Sequence, residues 1–146
     1  MKIKIYLIAK SYLNCDNYAR MLQQFGVEIE IVNIFNAKIQ TAQKISAQSA
    51  QSAYKSEFDK FITKDSIALD LGGEQVDSAT FSEIVRDKNA INFFIGGAYG
   101  LSEAFLQKTR RIALSKLTFS HSIVPLILCE QLYRAFSIIN NHPYHK

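Results

Sequence analysis

Two cysteines in 146 residues, Cys15 and Cys129, are too few to staple a fold, and their placement suggests no pairing. Such scarcity fits a reducing compartment. No run of about eighteen apolar residues occurs, so no segment is expected to cross a membrane. The opening MKIKIYLIAK alternates like a strand and lacks a small-residue cleavage site, which argues against a signal peptide. A cytoplasmic location is expected. Neither G-x-G-x-x-G nor G-x-x-x-x-G-K-[ST] is present, which weakens the dinucleotide and P-loop readings. No internal repeat or linker interrupts the chain. Its length predicts a single domain over residues 1–146, large enough to bury a core without metal or disulfide support.

Alternating apolar segments supply the framework. Residues 3–9, 27–35, 66–71, 90–95 and 111–114 read as strands, with 90–95 apolar on both faces and therefore central. Helices are expected over 14–25, closed by Gly26, over 78–88, from about 102, and over 122–140. Residues 36–50 (NAKIQTAQKISAQSA) are polar and of low complexity, and read as a mobile loop leading into a helix that reaches about residue 63. Strands alternating with helices give an α/β fold with a mostly parallel sheet and helices on both faces.

Charge is uneven. The first 107 residues are nearly balanced. The remainder holds Lys108, Arg110, Arg111, Lys116, Arg134 and Lys146 against Glu130 alone. A basic end of this kind is a candidate phosphate-binding face, or a chance excess on a solvated surface. Two glycine-rich turns, LDLGG ending at Gly73 and FIGGAYG ending at Gly100, follow two consecutive strands. In open α/β sheets ligands bind beyond the carboxyl ends of the strands, where glycine lets backbone approach closely.

The last helix is apolar around most of its circumference, so it should be buried, in part against a second copy of the chain. Its remaining polar residues, Glu130, Arg134, Ser137 and Asn141, fall within a stripe roughly 60° wide at 100° per residue. That stripe leads to the tail NHPYHK, which holds two of the three histidines. A metal site built from His121, His142, His145 and Glu130 is disfavoured, because the spacing matches no established ligand set. Cys129 lies within an apolar helix face, where thiols are inert.

FIGGAYGLSE (94–103), LSKLTFSH (114–121), EQLYRAFSI (130–138) and NHPYHK (141–146) together resemble the ribosomal RNA large-subunit methyltransferase H family of the SPOUT class. The similarity runs over nearly the whole chain. The resemblance implies a C-terminal trefoil knot and a homodimer. It implies methylation, from S-adenosylmethionine, at N3 of a pseudouridine in 23S ribosomal RNA on the assembled ribosome. It places the cofactor at Leu69, at Gly96 with Gly97 adjacent, and along Leu114, Ser115, Lys116, Leu117, Thr118 and Phe119. Because N3 must lose a proton, a base or an anion-stabilising cation is needed. Arg134, Tyr144 and His145 are the candidates, with Glu130 orienting Arg134. The resemblance further implies that one subunit's tail completes its partner's site. Two departures from the family pattern stand out: Ser120 precedes His121 where proline is usual, and Pro125 stands where the family carries arginine. A ribosome-binding module without catalysis and a generic nucleotide-binding enzyme are the competing readings.

Overall fold

A computed structural model describes residues 1–146. The elements, in chain order, are β1 (Lys2–Leu7), α1 (Asp16–Leu22), β2 (Glu28–Asn33), α2 (Ala37–Ile45), α3 (Ala47–Phe58) and β3 (Ser66–Gln75). They continue with α4 (Ser78–Val85), β4 (Ala90–Ile95), α5 (Glu103–Leu106), β5 (Arg110–Ala113) and α6 (Val124–Ile139). The five strands form one sheet in the order β2-β1-β4-β3-β5, parallel throughout.

The period-two pattern of the strands sorts the core into two layers. Ile3, Ile5 and Leu7 of β1 and Ile91, Phe93 and Ile95 of β4 point to one face, where α1, α4 and α6 cover them. Tyr6 and Ile8, together with Phe94 and Ala68, point to the other, beneath α2, α3 and α5. Burying each of the isoleucine, leucine and phenylalanine side chains among them contributes roughly 1.5–3 kcal/mol against exposure. Helices therefore lie on both faces, as the strand–helix alternation predicts. β4, apolar on both sides, is the central strand.

The helix ends have local causes. Gly26 adopts φ 71°, and its N–H closes the turn after α1 on Gln23. Asp77 caps α4 by accepting from the N–H of Thr80 at 2.7 Å. α4 stops at Val85 rather than near residue 88, because Arg86 is extended and Asp87 turns to φ 58°. Pro125 sits in the first turn of α6, where no intrahelical N–H is required, so the departure at this position leaves the helix intact.

Residues 36–50 differ from expectation. They are not a loop but α2 and the start of α3. Asn36 caps α2 by accepting from the N–H of Ile39, and Ser46 breaks the two helices apart while capping the second through Ser49. A single fully buried residue, Ile39, anchors α2, and Ala50, Ala53, Tyr54 and Phe58 anchor α3. The buried residues of these two helices are few and widely spaced, so composition alone conceals them.

Candidate active site

A cleft of about 320 Å³ opens at the carboxyl ends of β4 and β5 and beside the register break midway along β3, which runs on through Gly72 and Gly73 rather than turning there. Leu69, Asp70 and Leu71 form one wall, Ile95 to Leu101 without Tyr99 a second, and Leu114 to His121 without Lys116 the third. Of the expected cofactor positions, Leu69, Gly96, Gly97, Leu114, Ser115, Leu117, Thr118 and Phe119 all line it. Lys116 is exposed and is not among the lining residues. Ser120 and His121, at the other departure from the family pattern, also face the cleft, as does Val124 at the start of α6.

The second wall is a tight turn. Gly100 has φ 67° and its N–H donates to the Gly97 carbonyl at 3.1 Å. A Cβ on Gly96 would lie 2.9 Å from the Gly100 carbonyl carbon. Glycine at both places lets the turn fold on itself so that backbone forms the surface. The first wall has an ion pair behind it. Arg111 donates to Asp70 at 2.7 Å and to Glu103 at 2.9 Å, joining β5 to β3 and α5. Asp70 was not among the expected site residues. Its signal in the sequence was its place directly after Leu69, a carboxylate within an otherwise apolar strand segment.

Further along α6, from its middle toward the tail, lies a polar cluster. Glu130 Oε1 accepts from Arg134 Nε at 3.1 Å, from Arg134 Nη2, and from the Tyr144 hydroxyl at 3.0 Å. Glu130 Oε2 accepts from Gln131 at 2.7 Å, and Gln131 in turn accepts from Ser78 on α4. Arg134 Nη1 lies 3.3 Å from His145 Nδ1, and its guanidinium stands 4.9 Å from the centre of the Tyr144 ring. The structure thus brings Glu130, Arg134, Tyr144 and His145 together. Burial raises the Tyr144 phenol above its ordinary range, and hydrogen bonding with Tyr18 and Glu130 adds to the shift. Its bond to Glu130 likewise holds the Arg134 guanidinium more firmly charged.

The tail is docked. The His142 N–H donates to the Ser137 carbonyl at 2.8 Å, and the His142 ring meets Phe25 and Tyr133 edge-on. Tyr144 packs on Tyr133 at 4.6 Å between ring centres. The expected polar stripe is shorter than its spacing implies. Ser137 is fully buried and donates back to the Tyr133 carbonyl, while Asn141 lies beyond the helix at φ 54°. Cys129 is fully buried, and its contact with Cys15 raises its thiol pKa, so it is no nucleophile.

Cleft and cluster are separate within one chain. None of Glu130, Arg134, Tyr144 or His145 lines the cleft. Val124 does, and Arg134 lies ten residues further along α6, about 15 Å at the helical rise.

A family model described as "Predicted SPOUT methyltransferase" matches residues 1–145. The chain is 43% identical over 150 positions to "Ribosomal RNA large subunit methyltransferase H" of Helicobacter acinonychis (strain Sheeba), covering all of both chains. It is 40% identical over 153 positions, again covering both completely, to the protein of the same name from Helicobacter hepaticus. Among solved structures, a probable methylase family protein from Haemophilus influenzae Rd KW20 superposes with a TM-score of 0.53 at 17% identity. That superposition covers 99% of this chain and 70% of the other, and it bears on the fold alone. The chain belongs to the SPOUT methyltransferase family, whose members draw their methyl group from S-adenosylmethionine.

Proposed function

We propose that this chain methylates N3 of a pseudouridine in 23S ribosomal RNA, on the large subunit of an assembled ribosome, in the cytoplasm. The observation that carries the reading is the Glu130–Arg134–Tyr144–His145 cluster, in which one carboxylate midway along α6 holds Arg134 and Tyr144 and Arg134 reaches on to His145. Curated relatives matching the chain from end to end are named for methylation of ribosomal RNA, which supports the substrate class.

The cleft fits the cofactor. Its volume is that of a small-molecule site, and its walls are mostly apolar with backbone exposed at a glycine turn. Leu69, Gly96, Gly97, Leu114, Ser115, Leu117, Thr118 and Phe119 would hold it. When bound, S-adenosylmethionine supplies a methyl group on a sulfonium centre. The chain's task is to present the attacking nitrogen in line and to favour its deprotonated form.

The cluster suits the second task as an anion stabiliser rather than a base. Glu130 already accepts on both oxygens, so its lone pairs are committed. The raised Tyr144 phenol stays protonated near neutral pH. With Arg134 as donor, His145 Nδ1 accepts, which leaves the ring proton on Nε2. Arg134, through the guanidinium hydrogens not spent on Glu130, and His145 Nε2–H can therefore stabilise the negative charge at N3 once its proton has passed to water, while the Tyr144 hydroxyl, which donates to Glu130, holds the carboxylate and with it Arg134 in place.

Separation of cleft and cluster leads us to infer a homodimer in which the tail of one subunit meets the cleft of its partner. The half-buried apolar side chains of Ile123, at the cap of α6, and of Leu126 and Ile127 within it would lie at that seam. A trefoil knot over the C-terminal segments goes with this reading.

The test is methyl incorporation from labelled S-adenosylmethionine into ribosomes lacking the modification, with the position read by mass spectrometry. Methylation at pseudouridine N3 is the expected result. Cofactor binding without transfer to any ribosomal substrate would favour a non-catalytic ribosome-binding module.

A further inference from the structure

We propose that Tyr54 on α3 is a positioning residue for the cofactor: its hydroxyl, held by Gln43 of α2, sets the Gly96–Gly100 turn from behind. This rests on the reading of the cleft as the cofactor site.

Tyr54 has no exposed surface, although it carries a hydroxyl. A buried hydroxyl is costly unless bonded, and phenylalanine would fill the same space. Here the hydroxyl donates to Gln43 Oε1. Its oxygen also lies against the turn. A Cβ built on Gly97 would stand 2.6 Å from the Tyr54 oxygen and 2.8 Å from the ring carbon bearing it. Glycine at 97 is therefore required by Tyr54, not by a left-handed backbone, since only Gly100 in this turn has positive φ.

A second side chain of α3 grips the turn. Gln51, three residues earlier on the same helical face, donates from Nε2 to the Tyr99 carbonyl at 2.9 Å. Within the turn, the Gly100 N–H to Gly97 carbonyl bond closes a single loop. Tyr54 and Gln51 fix that loop relative to the rest of the protein. This gives α2 and α3 a task that their sparse apolar content does not announce. They brace one wall of the cleft.

Tyr54→Phe tests the proposal, with affinity for S-adenosylmethionine measured by calorimetry and turnover measured separately. The cofactor Kd should rise about tenfold, the scale expected when polar groups lose a buried partner. At saturating cofactor, kcat should fall far less than the Kd rises, and the KM for ribosomes should stay unchanged. An unchanged Kd in the folded variant overturns the proposal, as does a matching loss of ribosome affinity. Should Tyr54→Phe fail to fold, Gln43→Ala removes the acceptor and leaves the phenol in place, and the same two outcomes decide. A wild-type chain that binds no S-adenosylmethionine would instead overturn the cofactor-site reading and the proposal with it.

Discussion

Arg134 is where charge, geometry and chain position converge. Its guanidinium is held by Glu130 through two nitrogens, faces the Tyr144 ring and reaches His145. Surface ion pairs contribute little to stability, and this pair is only partly buried, so its value should lie in catalysis. Arg134→Ala is expected to lower methyl transfer by about 100-fold or more while leaving cofactor Kd nearly unchanged, as single-turnover assays and calorimetry would show. Equal loss of both would make the residue structural. Tyr144 supports a pH prediction. Its phenol pKa is raised in the folded state, so its contribution to stability is complete below the unfolded phenol's value near 10 and is lost as pH rises beyond it. Urea melts of the wild type should show a decline above pH 10 that is steeper than that of Tyr144→Phe. Parallel declines would refute it.

At the scale of elements, the strands were legible because their apolar residues alternate, and each face finds its own layer of helices. α2 was not legible. Helical periodicity there rests on Ile39, with Gln, Lys and Thr elsewhere, and the deciding features were the caps Asn36 and Ser46. Since the caps matter where packing is thin, Asn36→Ala should destabilise the protein by about 1 kcal/mol in urea unfolding. An unchanged midpoint would mean that α2 is held by packing alone. The site was readable to different depths. Spacing placed Glu130 and Arg134 on one face correctly, because angle follows from sequence position. It could not show that Ser137, in the same stripe, turns its hydroxyl back onto the helix. Nor could it find Tyr54, whose role depends on α3 crossing behind a turn more than forty residues away. Deleting residues 142–146 should abolish methylation with little effect on cofactor binding, since His142 docks the tail on Phe25 and no tail residue lines its own subunit's cleft. Full activity in the truncated chain would remove the tail from the mechanism.

For the molecule as a whole, the distance between cleft and cluster is the governing fact. If the proposed dimer brings the two together, activity should follow dimer concentration. Mixing subunits tests this. Arg134→Ala has a sound cleft and a defective cluster. Gly96→Val has the converse, because its side chain would strike Gly100. Each is expected to be inactive alone. After co-refolding they should regain about a quarter of wild-type activity, as random pairing in a two-fold dimer leaves one intact composite site in half the pairs. No recovery would place both halves of the site in one chain.

The edge of the sheet beside the cleft has one further consequence. Leu69 and Glu74 both stand opposite Ile112, so the residues between them leave the ladder and return to it at the same rung. Nothing in the strand pairing measures the length of that excursion. Asp70 is held there by Arg111 and Gly73 lies tight against Ile112, so it is between Leu71 and Gly72 that an insertion would lengthen the rim without moving a rung. The rim is therefore where descendants of this chain can alter what the cleft admits while inheriting the sheet unchanged.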